Sequence, residues 1–339
     1  MKVVAGIDIG GTKCAVSFAH MRDREIEFLD KVRMETDREC FDNAMQRFIC
    51  IIADKLREHP EWRLMAVGIS CGGPLDAEKG LIMAPPNLPK WDHVDVFTPL
   101  KKTFGVPVMI QNDADACALA EWKYGAGRGY SNVIFLTFGT GLGAGLILDG
   151  KLYHGTNDMA GEVGHIRLTE CGPVGFGKMG SFEGYCSGGG ISQIAQMKVL
   201  EQFESGVFPD LGELGCLDAK HVAKAAQEGD TLARDIFAMS GKYLGKGLSI
   251  LIDILNPEVI IIGSVFERNQ DLLWPHAKEE IEKESLAASR AVCKVLPSQL
   301  GDQIGDYAAL ALVETGGGSY GTDTDFPAIA GKVSQAYGM

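Results

Sequence analysis

Two glycine turns, Gly10-Gly11-Thr12 and Gly139-Thr140-Gly141, stand 129 positions apart and are the best-equipped stretches of the chain for gripping a polyanion. Glycine lets a backbone approach a phosphate closely, and successive N–H groups in such a turn form an anion nest. Apolar, β-rich runs enter and leave each turn: Val3–Ile9 and Cys14–Phe18 around the first, Val133–Phe138 and Leu142–Leu148 around the second. Asp8 stands just before the first turn and Lys13 just after it. Two nests, one in each half of the chain, point to a triphosphate held between two related domains. A dinucleotide fold or a P-loop would need a helix directly after the glycines. Here both exits continue as strands, with Asp149-Gly150 as a further hairpin signal. Lys13 also lacks the Walker spacing. The plainer alternative is a pair of ordinary glycine hairpins in a sheet; the repetition and the position of Asp8 favour the nucleotide.

The elements that must carry these turns alternate between strand and helix. Ile26–Leu29 extends the first sheet, Phe41–Glu58 has helical apolar spacing, and Leu64–Ser70 reads as a buried strand ending in Cys71-Gly72-Gly73-Pro74. A Pro-rich loop at 84–91 precedes a short helix near Val96–Phe104; the strand Val106–Ile110 leads into Gln111-Asn112-Asp113 and a helix over Ala114–Tyr124. Past the second hairpin, helices are expected over Gly189–Phe203, Ala219–Gln227 and Thr231–Asn256. The strand Val259–Ile262 runs into Gly263-Ser264, and a helix follows over Asp302–Val313. The tail, 314–339, broken by Gly316-Gly317-Gly318, reads either as flexible or as a short docked helix. The alternation gives the α/β class.

At 339 residues, 46% of them hydrophobic, the chain has room for two domains with their own cores. Its net charge of −13 argues against a nucleic-acid-binding surface, where a basic patch is expected. It does not argue against ATP, which backbone amides, a few side chains and a metal ion can hold. Nine dispersed cysteines without a CxxC pair read as reduced thiols of a cytoplasmic protein. The first strand carries Asp8 and no small-residue cleavage site, so no signal peptide is expected. The longest apolar stretch, Ile250–Ile262, is broken by Asp253, Asn256-Pro257 and Glu258, so no membrane span is expected.

Taken in order, six motifs resemble the ROK family of sugar kinases and repressors, within the actin-like ATPase (ribonuclease H-like) fold. They are Asp8-Ile9-Gly10-Gly11-Thr12-Lys13, Gly72-Gly73-Pro74, Asn87-Leu88-Pro89-Lys90-Trp91, Asn112-Asp113, Gly139-Thr140-Gly141-Leu142-Gly143 and Gly161-Glu162-Val163-Gly164-His165. Glu183 with Ser187-Gly188, Asn256-Pro257 with Gly263, and Gly301-Asp302 continue the series. The resemblance implies duplicated α/β domains with an interdomain cleft: a small domain of 1–113 plus 301–339 with a returning C-terminal helix, and a large one of 114–300. It implies ATP-dependent phosphorylation of a hexose hydroxyl, on glucose or a related hexose or N-acylhexosamine. The enzyme would be homodimeric, would use Mg²⁺, and would engage neither nucleic acid nor membrane.

The same resemblance assigns roles. Asp113, between a strand end and a helix, would be the general base that takes the proton of the attacking hydroxyl. An Asp there is ordinarily a helix N-cap, and the two jobs are compatible. Asp8 would hold Mg²⁺ through water. Gly10, Gly11, Thr12, Lys13, Gly139, Thr140, Gly141, Gly263 and Ser264 would line the nucleotide, and Gly73, Asn87, Asn112, Asp113, Glu162, His165 and Glu183 the sugar. The family's zinc loop, ligated by the His and three cysteines, is the one departure. Gly175 and Ser181 stand where two thiolates belong and the third position is missing, so no zinc is expected. Phe176 and Phe182 turned inward, and Lys178 bonded to a carbonyl or carboxylate, are expected to hold the loop instead. The alternative function is a sugar-binding or repressor-like regulator of the same family. Such repressors carry a basic helix-turn-helix ahead of the first hairpin, whereas the first strand here is expected from residue 2.

Overall fold

The computed structural model describes residues 1–22, 25–207, 211 and 217–315; the tail beyond 315 lies outside the described residues. The β-rich flanks of the first turn pair as an antiparallel hairpin of β1 (Lys2–Ile9) and β2 (Lys13–Arg22), and β3 (Glu25–Glu35) continues it. After the helix α1 (Phe41–Glu58), β4 (Arg63–Cys71) pairs parallel to β1. The helix α2 (Phe97–Phe104) then leads to β5 (Val108–Asn112), parallel to β4, and α3 (Asp113–Tyr124) follows. The strand order is 3-2-1-4-5.

The second sheet repeats this plan. β6 (Val133–Phe138) and β7 (Leu142–Leu148) form the hairpin, and β8 (Lys151–Leu152) joins across the Asp149-Gly150 turn, both of whose residues have positive φ. β9 (Val259–Ile262) and β10 (Lys294–Pro297) add on in parallel, giving the order 8-7-6-9-10. Two antiparallel pairs and then two parallel ones recur in the same order, so the repetition seen in the glycine turns extends to whole sheets.

The chain divides into two units. One comprises Met1–Tyr124, Gly155–Met159 and the described part of Gln303–Met339; the other comprises Gly125–His154 and Ala160–Asp302. The first boundary thus falls after Tyr124 and not at 113, because α3 packs against the C-terminal helix Ile304–Thr315 with Ala114, Ala116, Cys117, Ala118 and Leu119 buried. β1 shows the period of two that a sheet covered on both faces requires. Val3, Ala5, Ile7 and Ile9 join Phe48, Ile49 and Ile52 of α1 in one core, whereas Val4 packs with Leu310 and Val313 of the C-terminal helix. The second core sets Ile134, Leu136, Phe138, Ile260 and Ile262 against Phe237, Leu244 and Leu248 of the helix Thr231–Leu255.

Some local expectations shift. The helix from Thr231 stops at Leu255 because Asn256 turns left-handed at φ 46° as its C-cap. The C-terminal helix starts at Ile304, after a 3-10 turn over Gly301–Gln303. The helix Gln270–Glu284 has no counterpart in the sequence reading, since Pro275 lies inside it. Among the described residues no helix is long and apolar enough to cross a membrane.

The C-terminal helix lies close to its sheet where Gly68 meets it: a Cβ there would stand 2.0 Å from the Ala309 carbonyl oxygen. Gly68→Ala must push the helix off β4, and overpacking of this kind costs about 1–3 kcal/mol. Urea unfolding is expected to show that loss, and an unchanged midpoint would refute the close contact.

Candidate active site

Parallel register brings the first group of site residues together. Ile9 lies beside Cys71 and Cys71 beside Asn112, so the carboxyl ends of β1, β4 and β5 finish level. Ligands of α/β sheets bind at such strand ends. There Asp8, the turn Gly10–Lys13, Gly72-Gly73 and Asn112-Asp113 share one edge. Gly10 N–H donates to the Lys13 carbonyl at 3.1 Å and closes the turn. Asn87 lies against it, since a Cβ on Gly11 would stand 2.6 Å from the Asn87 Cβ. Asn112 Oδ1 and Asp113 Oδ1 both accept the Ala114 N–H, at 2.9 and 2.8 Å, so the capping position of α3 falls to Asn112 and Asp113 is the helix's first residue. Asp113 Oδ2 is left facing Gly72, 4.0 Å from its Cβ position, and the Asn112 amide nitrogen lies 2.8 Å from that of Gly73.

The electrostatics of this edge are unusual. Asp113 keeps solvent access, yet the protein packed around its carboxyl withdraws enough water to raise its pKa above the ordinary carboxylate value. The Ala114 amide and its own pull the other way. Asp8 rises to about 6, first from desolvation, then from the charges of Asp306 and Asp113, with Lys31 opposing. Among the described residues no donor meets the Asp8 carboxylate. Gly305, at the start of the C-terminal helix, comes so near that its Cβ would stand 2.6 Å from Asp8 Oδ2. Asp306 itself is satisfied: it accepts from Ser17 Oγ at 2.7 Å and is ion-paired with Lys31. A crowded carboxylate without a donor fits a hydrated Mg²⁺, which carboxylates hold largely through water.

In the second unit the turn closes through Gly139 N–H to the Gly141 carbonyl at 3.0 Å. Ser264, at the end of β9, lies beside Gly139 and takes a positive φ of 58°, a strained conformation for a residue with a Cβ. Gly263 donates to the Leu136 carbonyl at 3.1 Å. Glu183 also reaches this turn, its Oε2 accepting the Leu142 N–H at 3.0 Å. The 3-10 turn Val163–His165 packs on the same carboxylate's stem, for a Cβ on Gly164 would stand 3.2 Å from the Glu183 Cβ. Glu162 precedes that turn and His165 ends it; both are exposed.

The sequence expects a helix from Gly189 but not its start against this turn, nor the partner of Asp306. The helix Gly188–Glu204 begins at this turn: Ser187 Oγ caps it by accepting the Gly190 N–H, and the Gly188 N–H donates to the Gly139 carbonyl at 2.7 Å. Its positive end therefore lies by the turn Gly139–Gly141. The signal was present in Ser187-Gly188-Gly189-Gly190. Asp306 with Lys31 had no signal, since 275 positions separate them.

The residues do not fit a structural zinc. A Cβ on Gly175 would stand 2.6 Å from the Gly184 nitrogen and 2.7 Å from the Glu183 Cβ, so no thiol fits there. Ser181 Oγ is fully buried and accepts the Gly184 N–H as a helix cap. Cys186 is buried with its thiol on the Ser240 carbonyl, and Cys171 is exposed. Among the described residues no three His, Cys, Asp or Glu side chains converge as a metal site. Phe182 is buried as expected, but Phe176 is 76% exposed, its edge towards His165, and does not turn inward. Lys178 donates to the His165 carbonyl at 2.6 Å.

Comparison with known proteins returns the ROK family model over residues 4–315. A glucokinase of Halalkalibacterium halodurans is 33% identical over 83% of this chain and 86% of its own length. The DNA-binding transcriptional repressor Mlc of Escherichia coli is 31% identical over 74% of this chain and 61% of the repressor. Among solved structures, a ROK family glucokinase from Streptomyces griseus in complex with glucose and AMPPNP superposes with a TM-score of 0.73. It is 29% identical and covers 92% of this chain and 99% of that one.

The raised Asp8 pKa has a sign that can be tested. Its value of 3.8 in the unfolded chain against about 6 in the fold means that ionisation weakens the fold as pH rises through about 6. In Mg²⁺-free buffer, Asp8→Asn is expected to gain on the order of 1–3 kcal/mol over wild type at pH 8, a gain that vanishes below about pH 4. Thermal or urea unfolding across pH checks this. A constant difference would contradict it.

Proposed function

The chain belongs to the ROK family, and from that premise we propose that it transfers the γ-phosphoryl group of ATP to a hexose hydroxyl, with Asp113 as general base. The observation that carries the reading is the Asp113 carboxyl. One oxygen is fixed by the Ala114 amide, the other faces Gly72, and the pKa is raised towards the range where a carboxylate works as a base. Asp113 Oδ2 accepts the proton of the hydroxyl as the oxygen attacks the γ-phosphorus and ADP leaves. Such help is worth about 10²- to 10⁴-fold, the remainder of the rate coming from positioning and charge neutralisation.

Gly10–Lys13, Gly139–Gly141, Gly263 and Ser264 are the residues we assign to the nucleotide, and Asp8 to Mg²⁺. When bound, that ion neutralises phosphate charge. Gly73, Asn87, Asn112, Asp113, Glu162, His165 and Glu183 are the residues we assign to the sugar. Paired hydrogen bonds to several hydroxyls at once would discriminate against a sugar that lacks one of them. Glucose is the default, supported by the glucokinase relatives, and by the Streptomyces griseus protein's complex with glucose and an ATP analogue.

A sugar-responsive regulator is the second reading, favoured by the likeness to the Mlc repressor. ADP release measured over a panel of hexoses separates the two, because a regulator binds sugar without turnover. Asp113→Asn is expected to lower kcat by at least 10²-fold while leaving sugar binding largely intact. Retention of more than about a tenth of wild-type kcat would remove Asp113 from the role of base. For the wild type, kcat/KM should fall on the acid side with an apparent pKa above the ordinary carboxylate value, as the raised Asp113 pKa requires.

A further inference from the structure

The loop that lacks zinc ligands is fastened at several points by side chains that belong to no assigned site. Gln193, on the helix Gly188–Glu204, makes two bonds to one residue of the loop. Its Oε1 accepts the Val174 N–H at 2.9 Å and its Nε2 donates to the Val174 carbonyl at 2.8 Å, as a paired strand would. Arg167 donates to the Met179 carbonyl at 2.7 Å, and Lys178 to the His165 carbonyl at 2.6 Å. At the loop's start, Thr169 Oγ1 donates to the Cys171 carbonyl at 2.6 Å and meets the Tyr185 hydroxyl at 3.0 Å. Tyr185 in turn stacks on Tyr243 at 3.6 Å. Ser181, in one of the thiolate positions, caps the short helix Phe182–Tyr185 that carries Glu183. The backbone packs too tightly for more: a Cβ on Gly180, whose φ is 64°, would stand 2.2 Å from the Thr169 carbonyl oxygen.

We infer that this set is a metal-independent clamp, in which Gln193 and Lys178 are positioning residues that hold Glu183 and His165 for the sugar. Lys178 fixes the turn Val163–His165 through the His165 carbonyl. Gln193 fixes the loop at Val174, next to the Gly175 that lies against Glu183. A zinc site would do the same work with thiolates; hydrogen bonds do it here without dependence on metal or on the redox state of cysteine. The inference rests on the proposed sugar site only for its kinetic arm.

The test uses the full chain with the double variant Lys178→Met, Gln193→Leu, and with the conservative Lys178→Arg, which keeps a donor for the carbonyl. Hydrogen exchange is followed by mass spectrometry over residues 171–183, with EDTA and without. The wild-type segment should exchange equally in both, and elemental analysis should find no stoichiometric zinc. The double variant should exchange faster in this segment and raise the KM for glucose about tenfold, because Glu183 and His165 are no longer held in place before the sugar binds. Its KM for ATP and its melting temperature should stay near wild type, and Lys178→Arg should behave as wild type. EDTA-induced loosening, one bound zinc per chain, or a double variant whose segment exchanges like wild type would overturn the clamp. So would an equal rise in the two KM values. If wild type does not turn glucose over, the proposed function fails and the exchange arm alone still decides the clamp.

Discussion

Parallel pairing sets Ile9 beside Cys71 and Cys71 beside Asn112, and from this register the chemistry of the first unit follows. A slip of one residue would send every side chain to the opposite face. Asp8, Gly72 and Asp113 reach one edge only because three strands of different origin end level there. The cost is electrostatic. Burial makes Asp8 costly to ionise, the charges of Asp306 and Asp113 add to that cost, and Lys31 offsets only part of it. We propose that this crowding serves a cation and a proton, the two species that phosphoryl transfer must manage.

The second unit solves a different problem with the same sheet. Its strand ends carry no aspartate; they carry a nest of backbone groups beside the capped N-terminus of the helix Gly188–Glu204. Glu183 ties that nest to the loop through the Leu142 amide, across 41 positions. The loop must therefore be rigid for the nest and the Glu183 carboxylate to keep their mutual geometry. Hydrogen bonds to carbonyls and buried glycines provide that rigidity where thiolates are missing.

Much of this was legible in the sequence because its signals are local. The glycine turns, the alternating strands, Asp113 between strand and helix, and the Asp149-Gly150 turn each reside within a few neighbouring residues. The empty thiolate positions were legible in the same way, and so was Lys178 on a carbonyl. What escaped was set by contacts at long range. The division at Tyr124 depends on α3 packing against a helix that begins at Ile304. Lys31 with Asp306, and Gln193 with Val174, are partners that no periodicity reveals. Phe176, expected inward, instead sits at a positive φ of 43° with its ring 76% exposed, a local backbone turn that hydrophobicity does not reveal.

Phosphorus NMR of the wild-type protein with Mg-ATP and glucose follows both the donor and the product. The account predicts that the three phosphorus resonances of ATP give way to the two of ADP and one sugar phosphomonoester, in equal amounts. Unchanged ATP, or a γ-phosphate released as inorganic phosphate with no sugar ester, would contradict it.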